Sequence, residues 1–289
     1  MTSMSEIRTL IQKKVAFYGA GSMAEAIARG LISKGVLSPT SITMMNRSNK
    51  ERLQELENKY GVITVRETAA KEDVLQTTDV IVLSMKPKDA AEALRYLGPL
   101  LSPGQLVVSV IAGMTIETIQ TLLGKKHPVV RTMPNTSSTI GLGATGIAFS
   151  EEVSSEEKKV VRTLFEAVGI VTIVDESTIE TLTGVSGSGP AYIYYMMEAL
   201  IEAGVKGGLT SEQARELTVQ TVLGAAQMVQ QTGESPQDLR KKVTSPNGST
   251  EAAIGVLAKG NFKETVIAAV DRCAERSREM GNALKEEIN

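Results

Sequence analysis

Short apolar runs alternate with longer amphipathic stretches through the first 175 residues. The apolar runs predict buried strands, at 15–18, 42–45, 80–83, 106–110, 129–131 and 170–174. The stretches between them predict helices, at 23–33, 50–59, 90–97, 116–123 and 155–167. Continuous apolar strands that alternate with helices are typical of an α/β fold, with a mostly parallel sheet covered by helices on both faces.

The pattern changes close to residue 175. Strand signals stop there, and long helix-compatible stretches follow, at 190–203, 211–231, 249–258 and 262–285. These stretches carry small residues suited to close helix packing, so they predict a core or a dimer interface. We therefore expect two domains, an α/β domain over 1–175 and an all-α domain over 176–289.

A glycine-rich turn joins the first strand to the first helix. The turn has the form G-x-G-x-x-A and consists of Gly19, Ala20, Gly21, Ser22, Met23 and Ala24. The first glycine permits a tight turn, the second lets the backbone approach a pyrophosphate, and Ala24 lets the helix pack closely on the strand. The partial positive charge of the helix N-terminus favours the same anion. This context predicts a Rossmann-type domain that binds a dinucleotide.

The end of the second strand bears on the choice of cofactor. An NAD site usually has an acidic residue there, which binds the ribose 2′-hydroxyl. This chain has Asn46, Arg47 and Ser48 instead, and Arg47 and Ser48 are suited to a 2′-phosphate. The pattern favours NADPH and leaves NADH open. The same residues also fit a polar turn in which Ser48 or Asn49 caps the next helix, and both interpretations can hold together.

Composition narrows the chemistry. The chain has 289 residues, 42% of them hydrophobic, with 31 basic and 33 acidic side chains, so it has no basic excess for binding nucleic acid. Residues 1–14 lack the apolar run of a signal peptide or membrane span and suggest a short helical or frayed leader.

The single cysteine, Cys273, fits a cytoplasmic location. The single histidine, His127, is expected to be solvated or at the entry to a strand. We therefore expect no metal site, and a cofactor that supplies most of the chemistry.

Five further segments, at 83–87, 109–113, 131–136, 183–192 and 243–250, complete a recognisable set. Together with the glycine turn, they resemble pyrroline-5-carboxylate reductase, the last enzyme of proline biosynthesis, over the whole chain after about residue 13. The resemblance implies hydride transfer from NADPH to 1-pyrroline-5-carboxylate, which gives L-proline. It also implies a helical domain that interleaves with a second subunit in a homodimer, which the family can assemble further into rings.

The resemblance also implies roles for individual residues. Thr183 is expected to lie near the substrate nitrogen as the catalytic residue. Gly248, Ser249 and Thr250 are expected to hold the substrate carboxylate through two backbone amides and a hydroxyl. Further cofactor contacts are expected on the nicotinamide side, from Met85, Lys86, Pro87, Ala112, Gly113, Pro134 and Asn135.

Three positions depart from the family pattern, namely Met85, Ser137 and Asn247. Asn247 replaces a glycine, and Asn adopts left-handed backbone angles better than most residues, so we expect the loop to keep its shape. Three alternatives stay open: an imine reductase, a β-hydroxyacid dehydrogenase, or a non-catalytic protein that binds NADPH. The hydroxyacid enzymes use a lysine on the first helix after the domain boundary. The predicted helix at 190–203 contains no lysine, which argues against that alternative.

Overall fold

The computed structural model describes residues 13–288. Within them, eight strands form a single sheet. The strands are β1 Val15–Tyr18, β2 Ile42–Met45, β3 Ile63–Val65, β4 Val80–Leu83, β5 Leu106–Ser109, β6 Val129–Met133, β7 Gly143–Phe149 and β8 Gly169–Ile173. Their order across the sheet is β3-β2-β1-β4-β5-β6-β7-β8, and every neighbouring pair is parallel except β6 and β7.

Helices cover both faces of this sheet. They are α1 Ser22–Ser33, α2 Lys50–Tyr60, α3 Thr68–Thr77, α4 Pro87–Leu97, α5 Ile116–Leu123, α6 Ser155–Glu166 and the short α7 Ile179–Leu182. Successive residues of a strand point to opposite faces. In β1, Val15 and Phe17 therefore join a core with α1, α2 and α6, whereas Ala16 joins a second core with α4 and α5. The α/β fold predicted from the apolar runs is confirmed.

The remaining elements are helical. They are α8 Gly189–Lys206, α9 Ser211–Thr232, α10 Pro236–Lys242, α11 Ser249–Lys259 and α12 Phe262–Ile288. The described chain forms two compact units, one that ends at Ser188 and resumes at Arg272, and one that comprises Gly189–Asp271. The compact units thus divide the chain thirteen residues beyond the predicted boundary, and the last turns of α12 belong to the α/β unit.

Several elements were not predicted from the pattern, namely β3, α3, β7, α7 and α10. Strand β7, with the sequence GATGIAF, is rich in small residues and lacks a continuous apolar run. Its Gly146 is required by packing, because a Cβ there would lie 2.2 Å from Leu182 Cδ1. Helix α4 begins at Pro87, three residues before the prediction, because proline is well tolerated at the first helical position.

His127 is buried just before β6, so the expectation of a strand-entry position is confirmed and the alternative of a solvated side chain is wrong. Burial, followed by the nearby Lys125, lowers the pKa of His127. The suggested leader lies mostly in residues 1–12, outside the described residues. Over 13–288, no helix is both long and apolar enough to cross a membrane, and no cluster of three His, Cys, Asp or Glu side chains is placed to hold a metal ion.

Candidate active site

A groove of about 890 Å³ opens at the carboxyl ends of β1, β2 and β4. Ligands of open α/β sheets bind at this edge, where strand order reverses. In this sheet β1 is the reversal point, since β2 and β4 flank it. Eight of the predicted cofactor residues line the groove: Gly19, Ala20, Gly21, Asn46, Arg47, Ser48, Met85 and Lys86.

Gly19 holds the turn between the ends of two strands. Its backbone N–H donates to Met45 O at 3.1 Å, and its carbonyl accepts from Ser84 Oγ at 2.8 Å. Its φ of +122° is unfavourable for residues with a Cβ, and a Cβ there would lie 2.5 Å from Ser84 O. Glycine is therefore required at this position by both conformation and space.

The start of α1 is open toward a ligand. Gly21 occupies the N-cap position, and no side chain caps the helix there. A Cβ on Gly21 would meet no atom within 4 Å, so this glycine faces open space. Ala24 is fully buried in the core with β1, which matches its predicted packing role. Ser22 and Met23 belong to the first turn of α1 but do not line the groove.

Arg52 braces the glycine turn from α2, and sequence reasoning missed it. Its Nε donates to Ala20 O at 3.2 Å, and its guanidinium also pairs with Glu25 of α1 and with Glu55 at 2.8 Å. Glu25 accepts further hydrogen bonds from Tyr60 Oη at 2.6 Å and Lys59 Nζ at 3.0 Å.

We call Arg52, Glu25, Lys59 and Tyr60 the brace, and its carboxylate is strongly stabilised in the charged form. Burial alone would raise the pKa of Glu25, but the hydrogen bonds from Tyr60, Arg52 and Lys59 outweigh it and lower that pKa to about 2. Arg52 lies three residues beyond the predicted polar turn, in a helix whose charged face gave no reason to single it out.

The polar loop after β2 serves as a cap and as a groove wall. Asn46 Oδ1 accepts from the backbone N–H groups of Ser48 and Asn49 at 3.1 and 3.0 Å. Asn49 in turn caps α2 by accepting from Arg52 N at 2.8 Å. Arg47 is exposed and lies 3.3 Å from Glu92 Oε2. The helix-capping interpretation of this loop is therefore confirmed for Asn49, while the phosphate interpretation stays a prediction.

Two further groups from beyond the loop face the groove. Lys71 of α3 lines it and donates to Asn46 O at 3.0 Å, and sequence reasoning missed this residue because α3 itself was missed. Burial lowers the pKa of Lys71. Lys86 precedes α4 at its N-cap position, and Pro87 is the first residue of that helix.

The remaining predicted cofactor residues lie outside this groove. Gly113, with φ +77°, packs against the last helix, where a Cβ on Gly281 would lie 2.4 Å from Gly113 O. Ala112 precedes it in the same loop, after β5. Asn135 follows the buried Pro134 and uses its side chain to link two segments, donating to Ser186 O at 3.0 Å and accepting from Ala144 N at 3.2 Å. This arrangement gives the Asn135 side chain a structural role.

Thr183 begins a single π-helical turn, Thr183–Gly187, between α7 and α8. Such turns often mark functional sites, because the wider spiral displaces side chains from a regular helical register. Thr183 is buried, and its Oγ1 donates to Ile179 O at 2.8 Å. The hydroxyl proton is thus engaged, and the oxygen lone pairs remain available to accept a hydrogen bond.

A buried ion pair anchors the helix that leads to Thr183. Arg131 Nη2 donates to Glu180 Oε1 at 2.6 Å, and Nη1 lies 3.3 Å from Glu176 Oε1. Glu176 Oε1 also accepts from Ile116 N at 2.7 Å. Strand β6 is therefore tied to α7, and both β6 and α5 are tied to Glu176 just before it, which fixes the position of the π-helical turn.

The predicted carboxylate site belongs to the second compact unit. Gly248 is the N-cap of α11, with no side chain capping it, and Ser249 and Thr250 are the first two helical residues. Asn247 has φ +58°, so the expectation that asparagine takes the left-handed conformation here is confirmed. Its backbone N–H donates to Glu251 Oε2 at 2.8 Å.

Known proteins match this chain over nearly its whole length. Pyrroline-5-carboxylate reductase 2 of Bacillus subtilis is 44% identical over 268 residues, which cover 93% of this chain and 95% of the relative. The chain belongs to the pyrroline-5-carboxylate reductase family. A family model for pyrroline-5-carboxylate reductase dimerisation matches residues 176–280, and one for coenzyme F420-dependent NADP oxidoreductases matches 14–113.

Solved structures of this reductase family have the same fold. The enzyme from Coxiella burnetii is 41% identical, with a TM-score of 0.86 over 93% of this chain and 98% of that one. The Plasmodium falciparum protein, solved with NADP bound, is 31% identical, with a TM-score of 0.84 over 94% of this chain and 99% of that one. The resemblance identified from the motifs is therefore confirmed.

Proposed function

We propose that this chain reduces 1-pyrroline-5-carboxylate to L-proline with a hydride from NADPH. The observation that carries the proposal is the full-length match, since the Bacillus subtilis reductase is 44% identical over 268 residues, which cover 95% of its length. Both the groove with its glycine turn and the loops around Thr183 and Gly248 lie within the matched length.

The groove fits a dinucleotide. The turn brings the backbone amide of Gly21 to one wall, and the loop after β2 brings Arg47 and Ser48 to another. Reduced nicotinamide, when bound, supplies the hydride. The cationic loop and the absence of an acidic residue at the end of β2 support a preference for NADPH over NADH. Measuring the Michaelis constants for NADPH and for NADH tests this preference.

Reduction of a cyclic imine needs one hydride at carbon and one proton at nitrogen. The imine is most electrophilic as its protonated iminium, so the protein must favour and orient that form. The Thr183 hydroxyl already donates its hydrogen bond to Ile179 O, so Oγ1 is left to accept a hydrogen bond from the iminium N–H. Thr183 therefore orients the substrate nitrogen and is not the source of the proton.

The substrate carboxylate requires no arginine in this proposal. The uncapped amides at the start of α11 and the Thr250 hydroxyl supply donors, and the helix dipole adds a favourable field. Asn247 keeps the preceding backbone in the left-handed conformation that leads into this N-terminus. Binding of this kind positions the imine for reduction, and positioning is most of what the reaction needs from the protein.

Assembly as a homodimer is part of the proposal. The helical unit exposes many large apolar side chains for its size, among them Tyr194, Tyr195, Leu200, Leu217, Leu223, Met228 and Val256. Extended exposed apolar surface of this kind marks an interaction site. A second copy of the same unit would cover it, consistent with the dimerisation model that matches 176–280. Assembly of such dimers into a ring and a cytoplasmic location stay predictions, and light scattering at defined concentration tests the ring.

One assay separates the candidate functions. Oxidation of NADPH is followed with 1-pyrroline-5-carboxylate as acceptor, and the same protein is offered a β-hydroxyacid with NADP. We expect turnover in the first reaction only. No turnover with 1-pyrroline-5-carboxylate would overturn the assignment, and oxidation of the hydroxyacid would favour the dehydrogenase alternative.

Within the described residues, helix α8 offers the hydroxyacid alternative no suitable lysine. Helix α8 extends beyond the predicted helix to Lys206, its last residue. Lys206 is exposed and pairs with Glu202 at 2.6 Å, so it is engaged on the surface of its own helix. The longer helix therefore does not restore that alternative.

A further inference from the structure

We infer that Lys71 of α3, and not Arg47 alone, selects for a 2′-phosphate on the adenosine ribose of the cofactor. The inference deepens the proposed function, because it assumes that the groove binds a nicotinamide dinucleotide. It rests on the position of Lys71, on its free donors and on the partners that already occupy Arg47.

Lys71 lies beside the end of the second strand. In dinucleotide-binding sheets the ribose 2′-position lies at the end of the second strand. Lys71 lines the groove at that place, because its Nζ donates to the carbonyl of Asn46, the residue that follows β2, at 3.0 Å. An ammonium group at this point is placed to reach a phosphate on the 2′-oxygen.

The charge of Arg47 is already compensated by neighbouring carboxylates. Its Nη1 lies 3.3 Å from Glu92 Oε2 and 3.8 Å from Asp89 Oδ1, so two carboxylates of α4 already compensate it. The Arg47 side chain is also 72% exposed, which weakens any contact through solvent screening. Arg47 must exchange these partners to bind a phosphate, and part of the gain is lost in that exchange.

Lys71 differs in both respects. Over residues 13–288, no carboxylate oxygen lies within ion-pair distance of its Nζ, and its one hydrogen bond leaves two ammonium donors for a ligand. The side chain is half-buried, so a phosphate contact is screened less than one at Arg47. Burial lowers the pKa of Lys71, and a dianionic phosphate would restore the favoured charged form.

The test is calorimetric binding to the full-length protein without any imine. Adenosine 2′,5′-bisphosphate is compared with adenosine 5′-monophosphate, which lacks the 2′-phosphate. The variants are Lys71→Met, which keeps the apolar stem, Lys71→Arg, which keeps the charge, and Lys88→Met as matched control. Lys88 is also a lysine that lines the groove, but it follows β4 and not β2.

We expect the wild type to prefer the bisphosphate and Lys71→Met to lose on the order of tenfold of that preference. Binding of the monophosphate should stay unchanged, Lys71→Arg should keep most of the preference, and Lys88→Met should lose much less. An intact preference in Lys71→Met would overturn the inference. So would equal losses in Lys71→Met and Lys88→Met, a loss of monophosphate binding in Lys71→Met, or a Lys71→Arg variant as weak as Lys71→Met. Failure of the proposed reaction would appear separately, in the NADPH assay with 1-pyrroline-5-carboxylate.

Discussion

Replacing Glu25 by glutamine should weaken the support beneath the glycine turn. The Glu25 carboxylate accepts hydrogen bonds from Tyr60, Lys59 and Arg52, and Arg52 holds the Ala20 carbonyl. Lowering the pKa of Glu25 from 4.5 to about 2 corresponds to at most about 3 kcal/mol of stabilisation of the charged form. Because the Glu25 side chain is 18% exposed and glutamine keeps part of the hydrogen bonding, we expect a loss of about 1–2 kcal/mol at pH 7.

The dependence on pH gives the sharper measurement. The folded-state pKa of Glu25 lies below its unfolded value, so its stabilisation is fully present above about 4.5 and is lost as pH falls toward 2. Urea unfolding of wild type and Glu25→Gln, at one fixed protein concentration, should therefore show a difference that shrinks markedly between pH 7 and pH 3. Glu55→Gln is the matched control. Glu55 is the other carboxylate on Arg52, but its side chain is 55% exposed, and we expect less than about 1 kcal/mol from it.

Two results would refute this reasoning. One is a difference between wild type and Glu25→Gln that persists undiminished at pH 3. The other is an equal effect of Glu25→Gln and Glu55→Gln at pH 7. We also expect Glu25→Gln to weaken NADPH binding more than Glu55→Gln does, because Glu25 is the less exposed of the two carboxylates that hold Arg52 against the Ala20 carbonyl.

Three other substitutions test the site. Gly19→Ala places a Cβ 2.5 Å from Ser84 O at φ +122°, so we expect a loss on the order of 2 kcal/mol in urea unfolding together with weaker NADPH binding; unaltered stability would contradict the packing argument. Thr183→Ala should lower turnover with 1-pyrroline-5-carboxylate and leave NADPH affinity nearly intact, and an unchanged turnover would remove Thr183 from the mechanism. Thr250→Ala should mainly raise the Michaelis constant for the imine, by on the order of tenfold for one lost hydrogen bond to a charged group; a selective loss of NADPH binding would contradict the carboxylate role.

The local pattern of the chain was enough to predict most of the α/β unit. Strands β1, β2 and β4 were predicted with the observed limits, because each is a short and mostly apolar run closed by a polar or glycine residue. The glycine turn was equally predictable, since its chemistry depends on residues adjacent in sequence. Motifs of this kind also carried the family resemblance, which the full-length relatives confirm.

Contacts between distant segments were a different matter. The brace joins Glu25 to Tyr60, 35 residues apart, and the ion pair that anchors Thr183 joins Arg131 to Glu180, 49 residues apart. Polar and charged side chains carry no local signal of a partner that lies tens of residues away, so nothing in the sequence marked these as partners. Lys71 was missed for a related reason, since α3 has a weak amphipathic pattern and its position beside Asn46 arises only from the packing of the sheet.

The sequence by itself therefore determined the class of fold, the dinucleotide turn and the family, because those depend on periodicity and on residues close together in the chain. Only the tertiary structure decided which polar groups support that turn, that Lys71 contacts the residue after β2, and that the Thr183 hydroxyl already donates a hydrogen bond to Ile179 O. The physical reason is that hydrogen bonds and ion pairs depend on separations of about 3 Å, which the packing of distant elements sets.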